Sequence, residues 1–488
     1  MKYSIQISIL ILFILALVPL IILAFCNHPL GLHEWDWITN LKGYTNDMTF
    51  WEEQKYYYEN VMGRYSSTFI SSLSDNLYSP LSFKLFFIFN ILLSFFAISI
   101  GVKTLFYNLI GKEVFIISII LWITWISGIS GIYDTLFMLT SVHTYLYGFY
   151  GLIFLVYFWD KLLKNYKTNT YHVTFWKGVI LISTIFTIGT NEISLFYVLI
   201  TNCFITIYNH KKKELHKFII FVLLISLFFT LFSLLTPANF ERNFHYGFNY
   251  SQLELLFISV STSIFNVFSW IVNGQLIWGS LLFIFLIEPI KIYKNKLISF
   301  KYLIALATLS VLVGHFLIIF GTNGASIAER VIDLIFLHFI FFWYYGLFIF
   351  INNLKVEDYQ IFRYPIIKRI FRIIVFYYMF VLFANGLSIN RENKNFSSFL
   401  TLIEVKSNLG EAWLTVLSGS AFNYNQSMQL QYEQLKNCKA DTCFVEKPEI
   451  APKILYHQLS DRRNRREGDT FLGFYFNSEI KSVKYGNK

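Results

Sequence analysis

Residues 5–26 read IQISILILFILALVPLIILAFC, a run that contains no charged side chain. At about 1.5 Å per residue, a helix of that length crosses the ~30 Å hydrocarbon core of a bilayer. The run follows Met1 and Lys2 and lacks a small-x-small cleavage site, which is typical of a retained signal anchor and not of a cleaved signal peptide. We therefore expect the first helix to span a membrane.

The composition extends this expectation to the whole chain. Of its 488 residues, 55% are hydrophobic, 20% are aromatic and only 14% are charged, a balance that would not keep a protein of this size in solution. Much of the net charge of +10 lies in short clusters beside apolar runs, such as 211–213 and 363–372. The positive-inside rule accounts for such clusters, so we predict membrane lipids as partners and no nucleic acid.

Apolar runs recur along the chain up to residue 389. They predict an all-α polytopic membrane protein with about 11 transmembrane helices. The run 253–270 is apolar enough to be a further span, but an even number of crossings between Pro237 and Lys291 would break the charge pattern, so we expect an interfacial or re-entrant helix there. The predicted spans lie near 5–26, 81–102, 114–132, 145–163, 176–190, 193–208, 218–236, 271–291, 303–321, 331–352 and 373–389.

The loops between these spans differ in charge, which predicts the orientation. With the N-terminus in the cytoplasm, every cytoplasmic loop carries Lys or Arg. The extracytoplasmic side then receives a long first loop, 27–80, and the C-terminal tail. We therefore predict a transmembrane domain over 1–389 and an extracytoplasmic extension over 390–488, in a multi-pass protein of a bacterial inner membrane.

The four cysteines carry one signal. Cys26 and Cys203 fall within or beside apolar runs, where a cysteine is most simply a small hydrophobic residue. Cys438 and Cys443 lie in the polar tail with four residues between them, a spacing that fits a small disulfide in an oxidising compartment. Zinc would need two further ligands, and none is nearby in the sequence.

Paired acids open the first outer loop, in Glu34-Trp35-Asp36-Trp37. Two acids one residue apart can act as a general base and its neighbour, or they can share a divalent metal such as Mg²⁺ or Mn²⁺. The alternative is an interfacial tryptophan belt flanked by solvated acids. We predict Asp36, and then Glu34, as the catalytic acid, and leave the metal open.

Further polar residues are predicted on the same face. Arg64 follows Gly63 in the first loop, and its guanidinium suits phosphate oxygens. Asn191 and Glu192 lie between two apolar runs, where an acid is costly unless it is paired or functional. His143 enters the fourth span, although a lone histidine at such a place is more often a packing residue.

Two arginines complete the predicted substrate-binding set. Arg242 follows the seventh span, and Arg330 lies at the outer end of the tenth beside Glu329 and Asp333. Glu329 and Arg330 could instead neutralise each other. A transporter would be expected to carry its ionisable residues near the bilayer midplane, where the sequence offers few, chiefly His315 and His338 (the latter listed here as a core residue).

At these residues the chain resembles the polytopic GT-C glycosyltransferases, and more closely a widespread group of uncharacterised bacterial membrane proteins with that architecture. The resemblance rests on the paired acids of the first outer loop, the Gly63-Arg64 pair, the Gly-Thr-Asn-Glu at 189–192, Arg330 and the C-terminal outer extension. It covers nearly the whole chain. The acids are spaced Glu-x-Asp here, whereas adjacent acids are more usual in the related proteins.

The resemblance implies transfer of a sugar from a polyprenyl-phosphate donor to a glycan or lipid acceptor on the extracytoplasmic face. It implies that Asp36 or Glu34 serves as base or metal ligand, while Arg64, Arg242 and Arg330 bind phosphate, and His143, Asn191 and Glu192 contact the sugar. Two alternatives stay open: an O-antigen polymerase or ligase, for which a long outer loop late in the chain would be expected, and a non-enzymatic transporter or flippase of lipid-linked sugars.

Overall fold

The structure is a computed structural model. It describes residues 2–28, 49–74, 80–106, 109–165, 170–209, 213–239, 250–272, 275–286, 300–324, 328–353, 369, 373, 407–440, 442–445, 452, 454–455 and 482–485. Within these ranges eight helices are long and apolar enough to cross a membrane. The protein is therefore an all-α polytopic membrane protein, as the sequence predicts. The predicted span 373–389 lies outside the described residues except for Ile373, so the number of eleven spans stays a prediction.

The helices alternate with short connections. In the N-terminal half they are α1 (Lys2–Cys26), α2 (Phe50–Asn60), α3 (Tyr65–Ser74), α4 (Pro80–Leu105), α5 (Gly111–Gly128), α6 (Tyr147–Asn165), α7 (Thr170–Ile188), α8 (Glu192–Asn209) and α9 (Lys213–Leu234). In the C-terminal half they are α10 (Gln252–Val272), α11 (Gln275–Leu286), α12 (Phe300–Gly321), α13 (Glu329–Asn353), α14 (Asn408–Leu417) and α15 (Ser420–Lys436). Between α5 and α6 the chain forms two π-helical turns, Tyr133–Phe137 and Val142–Leu146, which are separated by the single α-helical turn Leu139–Ser141.

Neighbours along the chain pack side by side: α4 with α5, α6 with α7, α8 with α9, and α12 with α13. The most buried spans are α5, α6 and α13, whereas α9, α10 and α12 leave most of their surface uncovered. The exposed side chains of the outer helices are Leu, Ile and Phe, which lipid tails accommodate at no cost. The polar residues of the bundle accordingly collect at α5, α6 and α13.

Polar side chains join the helices inside this apolar bundle. Trp122 Nε1 donates to Ser94 Oγ at 2.9 Å, which ties α5 to α4. Trp159 Nε1 donates to Asn202 Oδ1 at 3.1 Å, which ties α6 to α8. An indole N–H buried away from water needs such a partner, so these bonds orient the helices as well as joining them.

The segment 252–286 differs from the prediction. A span was expected over 271–291 and an interfacial or re-entrant helix over 253–270, but the structure has a span-length helix over 252–272 and a second helix over 275–286. Asn266 Nδ2 lies 2.7 Å from His315 Nε2, and the Trp270 ring packs on Phe336. These contacts join α10 to α12 and α13 inside the bundle, so α10 does not lie along its rim.

The C-terminal segment contacts the bundle. Helices α14 and α15 both pack on α1, and α14 also packs on α5. After them, β1 (Thr442–Val445) pairs in parallel with β2 (Ser482–Tyr485). A disulfide joins Cys438 to Cys443, whose Cα atoms lie 6.1 Å apart, and it fastens the end of α15 to the start of β1.

Candidate functional site

The predicted substrate-binding residues that the structure describes lie at one end of the bundle. At this end, which we call the polar end, α3, α8 and α13 begin and α5 and α7 end. The π-helical turn Val142–Leu146 lies among these termini, and all five of its residues are buried. Turns of this kind occur often at functional sites. The residues brought together here are Arg64, His143, Asn191, Glu192 and Arg330.

The start of α3 docks on the turn between α7 and α8. The backbone N–H of Ser66 donates to the carbonyl of Gly189 at 2.9 Å. A Cβ atom at Gly189 would collide with the Tyr65 ring and with Ser66 Oγ. Glycine is therefore required at this contact, which fixes the first outer loop against the transmembrane bundle.

Arg64 and Glu192 form the central ion pair of the polar end. Arg64 Nη2 donates to Glu192 Oε2 at 2.9 Å and Arg64 Nε to Glu192 Oε1 at 3.1 Å. The two side chains are only 17% and 30% exposed. Burial alone would lower the pKa of Arg64, but Glu192 and Tyr145 raise it above its ordinary value, so the guanidinium stays charged. Much of the charge of Arg64 is thus already balanced by Glu192.

The ring of Tyr145 lies beside two guanidinium groups. Arg64 Cζ is 5.7 Å from the ring centroid and Arg330 Cζ is 6.0 Å from it. An aromatic face attracts a cation at such distances. Tyr145 therefore holds two arginines close to each other although they come from the first loop and from α13.

Asn191 serves the structure with both groups of its amide. Its Oδ1 accepts from the backbone N–H of Ser194 at 2.9 Å, which caps α8, and its Nδ2 donates to the carbonyl of Thr144 at 2.6 Å. These bonds tie the start of α8 to the π-helical turn. Contact of Asn191 with a sugar stays a prediction.

His143 is buried under α3. Its Nδ1 lies 2.9 Å from Ser71 Oγ, and its ring packs edge-on against Phe86. Its Nε2 has no hydrogen-bond partner within the described part of the chain. With 1% of its surface exposed, His143 positions α3, and its predicted contact with substrate stays untested.

A buried carboxylate organises the other side of the polar end. Asp333 is 2% exposed and accepts three hydrogen bonds: from the backbone N–H of Ser130 at 2.7 Å, from Ser130 Oγ at 2.8 Å and from Thr135 Oγ1 at 2.6 Å. These donors satisfy a charge that would otherwise be costly to bury. Asp333 thus fixes the loop after α5 and the first π-helical turn to α13.

A narrow crevice opens between Asp333 and Tyr145. Its polar lining consists of Trp125, Thr135, Ser141, Tyr145, Arg330 and Asp333, and leucines close the remainder. Trp125 Nε1 and Ser141 Oγ are buried there without a hydrogen-bond partner among the described residues. The crevice therefore holds two polar groups that a ligand could satisfy.

Arg330 borders this crevice with little to balance its charge. Its Nη1 lies 3.5 Å from the Met138 sulfur, a weak acceptor, and its guanidinium lies over Tyr145. In the part of the chain that the structure describes, no carboxylate lies within the 4.0 Å of an ion pair with it. The predicted neutralisation of Arg330 by its neighbour Glu329 is thus not found, and Arg330 can attract an anion.

The predicted catalytic residues Asp36 and Glu34, and Arg242, lie outside the described residues. The same holds for the metal site that Glu34 and Asp36 would form. Among the residues that are described, no group of three or more His, Cys, Asp or Glu side chains converges. We therefore route no step of the chemistry below through a metal.

Two residues of the site were not predicted. Tyr145 gave no sequence signal, because a tyrosine at the edge of a span is common. Asp134 lies in the first π-helical turn and is 9% exposed; its carboxylate and that of Glu329 both approach Gly131. Asp134 could have been found by the rule that singled out Glu192, since an acid between apolar runs is costly.

No family model, curated protein sequence or solved structure matches this chain. The assignment of function therefore depends on the residues of the polar end and on the predicted first loop.

Proposed function

We propose that the protein is a membrane glycosyltransferase of the GT-C type, which moves a sugar from a polyprenyl-phosphate donor to a glycan or lipid acceptor of the cell envelope. The observation that carries the proposal is Arg330. A half-buried guanidinium without a carboxylate partner in the described chain, beside the unpartnered donors Trp125 Nε1 and Ser141 Oγ, matches the oxygens of a phosphate.

In the proposed reaction, a hydroxyl of the acceptor attacks the anomeric carbon of the donor sugar. The carboxylate of Asp36 or Glu34 takes the hydroxyl proton as the new carbon–oxygen bond forms. The bond from the anomeric carbon to the phosphate oxygen breaks, and the polyprenyl phosphate leaves with the bonding electrons. Arg330 stabilises the negative charge that grows on that phosphate.

Arg64 has a different part in this proposal. Because Glu192 holds its guanidinium from two sides, Arg64 has less charge to offer to a phosphate than Arg330 has. Its contact with Tyr145 places it within reach of Arg330. We therefore infer that Arg64 positions the first loop, which carries Glu34 and Asp36, over the crevice.

The charge distribution supports an extracytoplasmic site in a bacterial inner membrane. Lys103, Lys112 and Lys164 lie near the ends of α4, α5 and α6 that are opposite to the polar end. Lysines gather on the cytoplasmic side of membrane proteins. The polar end then faces away from the cytoplasm, where a polyprenyl-linked donor would have its sugar.

Transport is less well supported. The midplane histidines are engaged in packing: His315 Nδ1 donates to the carbonyl of Val311, and His338 Nδ1 donates to that of Leu334, while the His338 ring lies 4.2 Å from the ring of Tyr197. Ionisable residues that line a transport path would instead face a cavity or one another.

The experiment compares the mass of surface glycans and glycolipids in a strain that carries the gene and in its deletion. We expect the deletion to lose one sugar mass, the wild-type gene to restore it, and Asp36→Asn to fail while the protein still accumulates in the membrane. An unchanged mass profile in the deletion would overturn the proposed transferase.

A quantitative assay then tests Arg330. We expect Arg330→Gln to lower the rate of transfer from a polyprenyl-phosphate sugar by about 10²–10³-fold, the usual effect of removing one group that stabilises a developing oxyanion. The control Met138→Leu removes the sulfur contact of Arg330 but not its charge, and it should keep the rate within a few-fold. Equal rates for Arg330→Gln and the wild type would reject the phosphate role.

A further inference from the structure

The first helix contains a break in its hydrogen-bond ladder. Pro19 lies inside α1 and has no backbone N–H. The carbonyl of Leu15, four residues earlier, therefore has no helical partner. Leu15 lies about 16 Å along the axis from the end of α1 at Cys26, close to the middle of a ~30 Å hydrocarbon core. An unpaired carbonyl at that depth costs several kcal/mol.

A residue from the C-terminal segment supplies the missing donor. Trp413 Nε1 donates to the carbonyl of Leu15 at 2.8 Å. Trp413 belongs to α14, whose first residue, Asn408, donates through Nδ2 to the carbonyls of Ile126 and Ile129 at the end of α5. The helix α14 thus runs from the polar end of the bundle towards the middle of α1.

The chain then turns and returns along α15. Gly419 forms the turn with a φ of 76°, a left-handed conformation that glycine adopts readily. Near the outer end of α1, Nε2–H of His28 donates to Asn425 Oδ1 at 2.8 Å, and the Tyr432 hydroxyl lies 2.9 Å from His28 Nδ1. We call α14, the turn and α15 the C-terminal hairpin.

The exposed side chains of the hairpin change along its length. Around the turn they are apolar: Leu414 is 51% exposed, Leu417 75% and Phe422 51%. At the other end of α15 they include Glu433 and Lys436. Apolar surface at the turn and charge at the far end is the pattern of an element that enters a bilayer at its turn and leaves it at its ends.

We propose that the C-terminal hairpin is a re-entrant membrane element, whose tip at Leu414, Leu417 and Phe422 is covered by lipid acyl chains in the outer half of the bilayer. The depth of Leu15 places the tip among acyl chains, and the apolar tip has no other cover within the described chain. The hairpin is thus part of the transmembrane body, and the segment after it begins at the membrane surface.

The test is the accessibility of nitroxide spin labels in phosphatidylcholine nanodiscs. Single cysteines are placed at the tip, Leu417→Cys and Phe422→Cys, and at the far end, Lys436→Cys, in a full-length chain with Cys26 and Cys203 changed to serine and the Cys438–Cys443 disulfide intact. Collision rates are measured with O₂, which concentrates among acyl chains, and with a water-soluble nickel chelate. Because all three positions are exposed, the labels displace no buried contact.

We expect the tip labels to collide several-fold more with O₂ than with the nickel chelate, and the label at 436 to show the reverse. Frequent collisions of the tip labels with nickel would mean that water covers the tip. Low collision rates with both reagents, with dipolar broadening between labels, would mean that a second copy of the chain covers it. Either result would overturn the proposal.

A second variant tests the anchor at Leu15. Trp413→Phe keeps an aromatic ring but removes the N–H donor. With the label at Leu417→Cys, this change should raise the nickel collision rate at the tip several-fold, because the hairpin loses its bond at membrane depth. An unchanged rate would show that the bond to Leu15 does not hold the hairpin in place.

Discussion

Arg64 holds Glu192 through two nitrogens of its guanidinium, at 3.1 Å from Nε and 2.9 Å from Nη2, and so joins the first outer loop to the first residue of α8. The two residues are 128 positions apart in the chain. The loop that carries the predicted catalytic acids is therefore attached to the bundle by a paired charge and by the close approach of α3 to Gly189.

The ion pair should be strongly coupled. We expect Arg64→Gln and Glu192→Gln each to lower the free energy of unfolding by about 2–4 kcal/mol, because each change leaves a charge in a mostly buried site. The double variant should lose less than the sum, with a coupling energy of about 1–3 kcal/mol, measured by unfolding in detergent. The exposed pair Lys55–Glu59 is the control and should couple by less than about 0.5 kcal/mol; equal coupling in both pairs would contradict the prediction.

The approach of α3 to the α7–α8 turn should tolerate no side chain. Gly189→Ala would force the Tyr65 ring and Ser66 Oγ apart, so we expect it to destabilise the protein by about 1–3 kcal/mol and to reduce transfer activity. Gly178 lies in the same helix, α7, and a Cβ atom there meets no other atom within 4 Å. Gly178→Ala should therefore be neutral, or stabilising by up to about 1 kcal/mol. Similar unfolding temperatures for the two variants would disprove the close contact.

Asp333 should be a structural acid. Its three donors all point at the carboxylate, so Asp333→Asn presents an N–H₂ group to one of them and should cost about 2–3 kcal/mol. Thr135→Val removes a single donor and should cost about 1 kcal/mol. Activity per folded molecule should be kept in both variants. A stable but inactive Asp333→Asn protein would instead place Asp333 in the chemistry.

The C-terminal hairpin should loosen in acid. Burial, and then the nearby Lys84 charge, lower the pKa of His28 to about 3, against the hydrogen bond with Asn425. Below pH 6.5, the ordinary pKa, the unfolded chain therefore binds a proton that the folded protein excludes. Stability is complete above that pH and falls towards pH 3, by up to about 1.4 kcal/mol per unit. The groups that face His28 are Lys84, Tyr424, Asn425 and Tyr432.

Hydrogen exchange of the α15 amides between pH 7.5 and 4.5, corrected for the intrinsic rates, measures this effect. His28→Gln keeps an N–H donor but does not titrate in this range. We expect His28→Gln to exchange faster than the wild type at pH 7.5 and to show little further change with pH. The same pH slope in both proteins would assign the effect to another group.

The spans were predictable because apolar length is a local property. The run 81–102 predicted α4, which the structure has at Pro80–Leu105, and an acid between two apolar runs marked Glu192 as a residue that needs a partner. The sequence could not identify that partner as Arg64. A pairing across 128 residues depends on how α3 docks on the α7–α8 turn, and single-sequence periodicity does not report docking.

Two local features misled the pattern. The boundary between α10 and α11 falls inside one apolar run, so counting residues put the span at 271–291 and not at 252–272. The π-helical turn at Val142–Leu146 has no known hydrophobic period to recognise, although it carries His143 and Tyr145. The tail after residue 390 was predicted as an outer extension because α14 is shorter than a span, and a length criterion cannot find a re-entrant helix.

The bond between Leu15 and Trp413 also orders events in time. The two residues are 398 positions apart, and a ribosome adds about 5–20 residues per second. After Leu15 is made, on the order of 20 to 80 seconds pass before Trp413 exists. During that interval the first helix must sit in the membrane with an open carbonyl at Pro19, so an insertase, a lipid headgroup or water has to serve it until the last helices arrive.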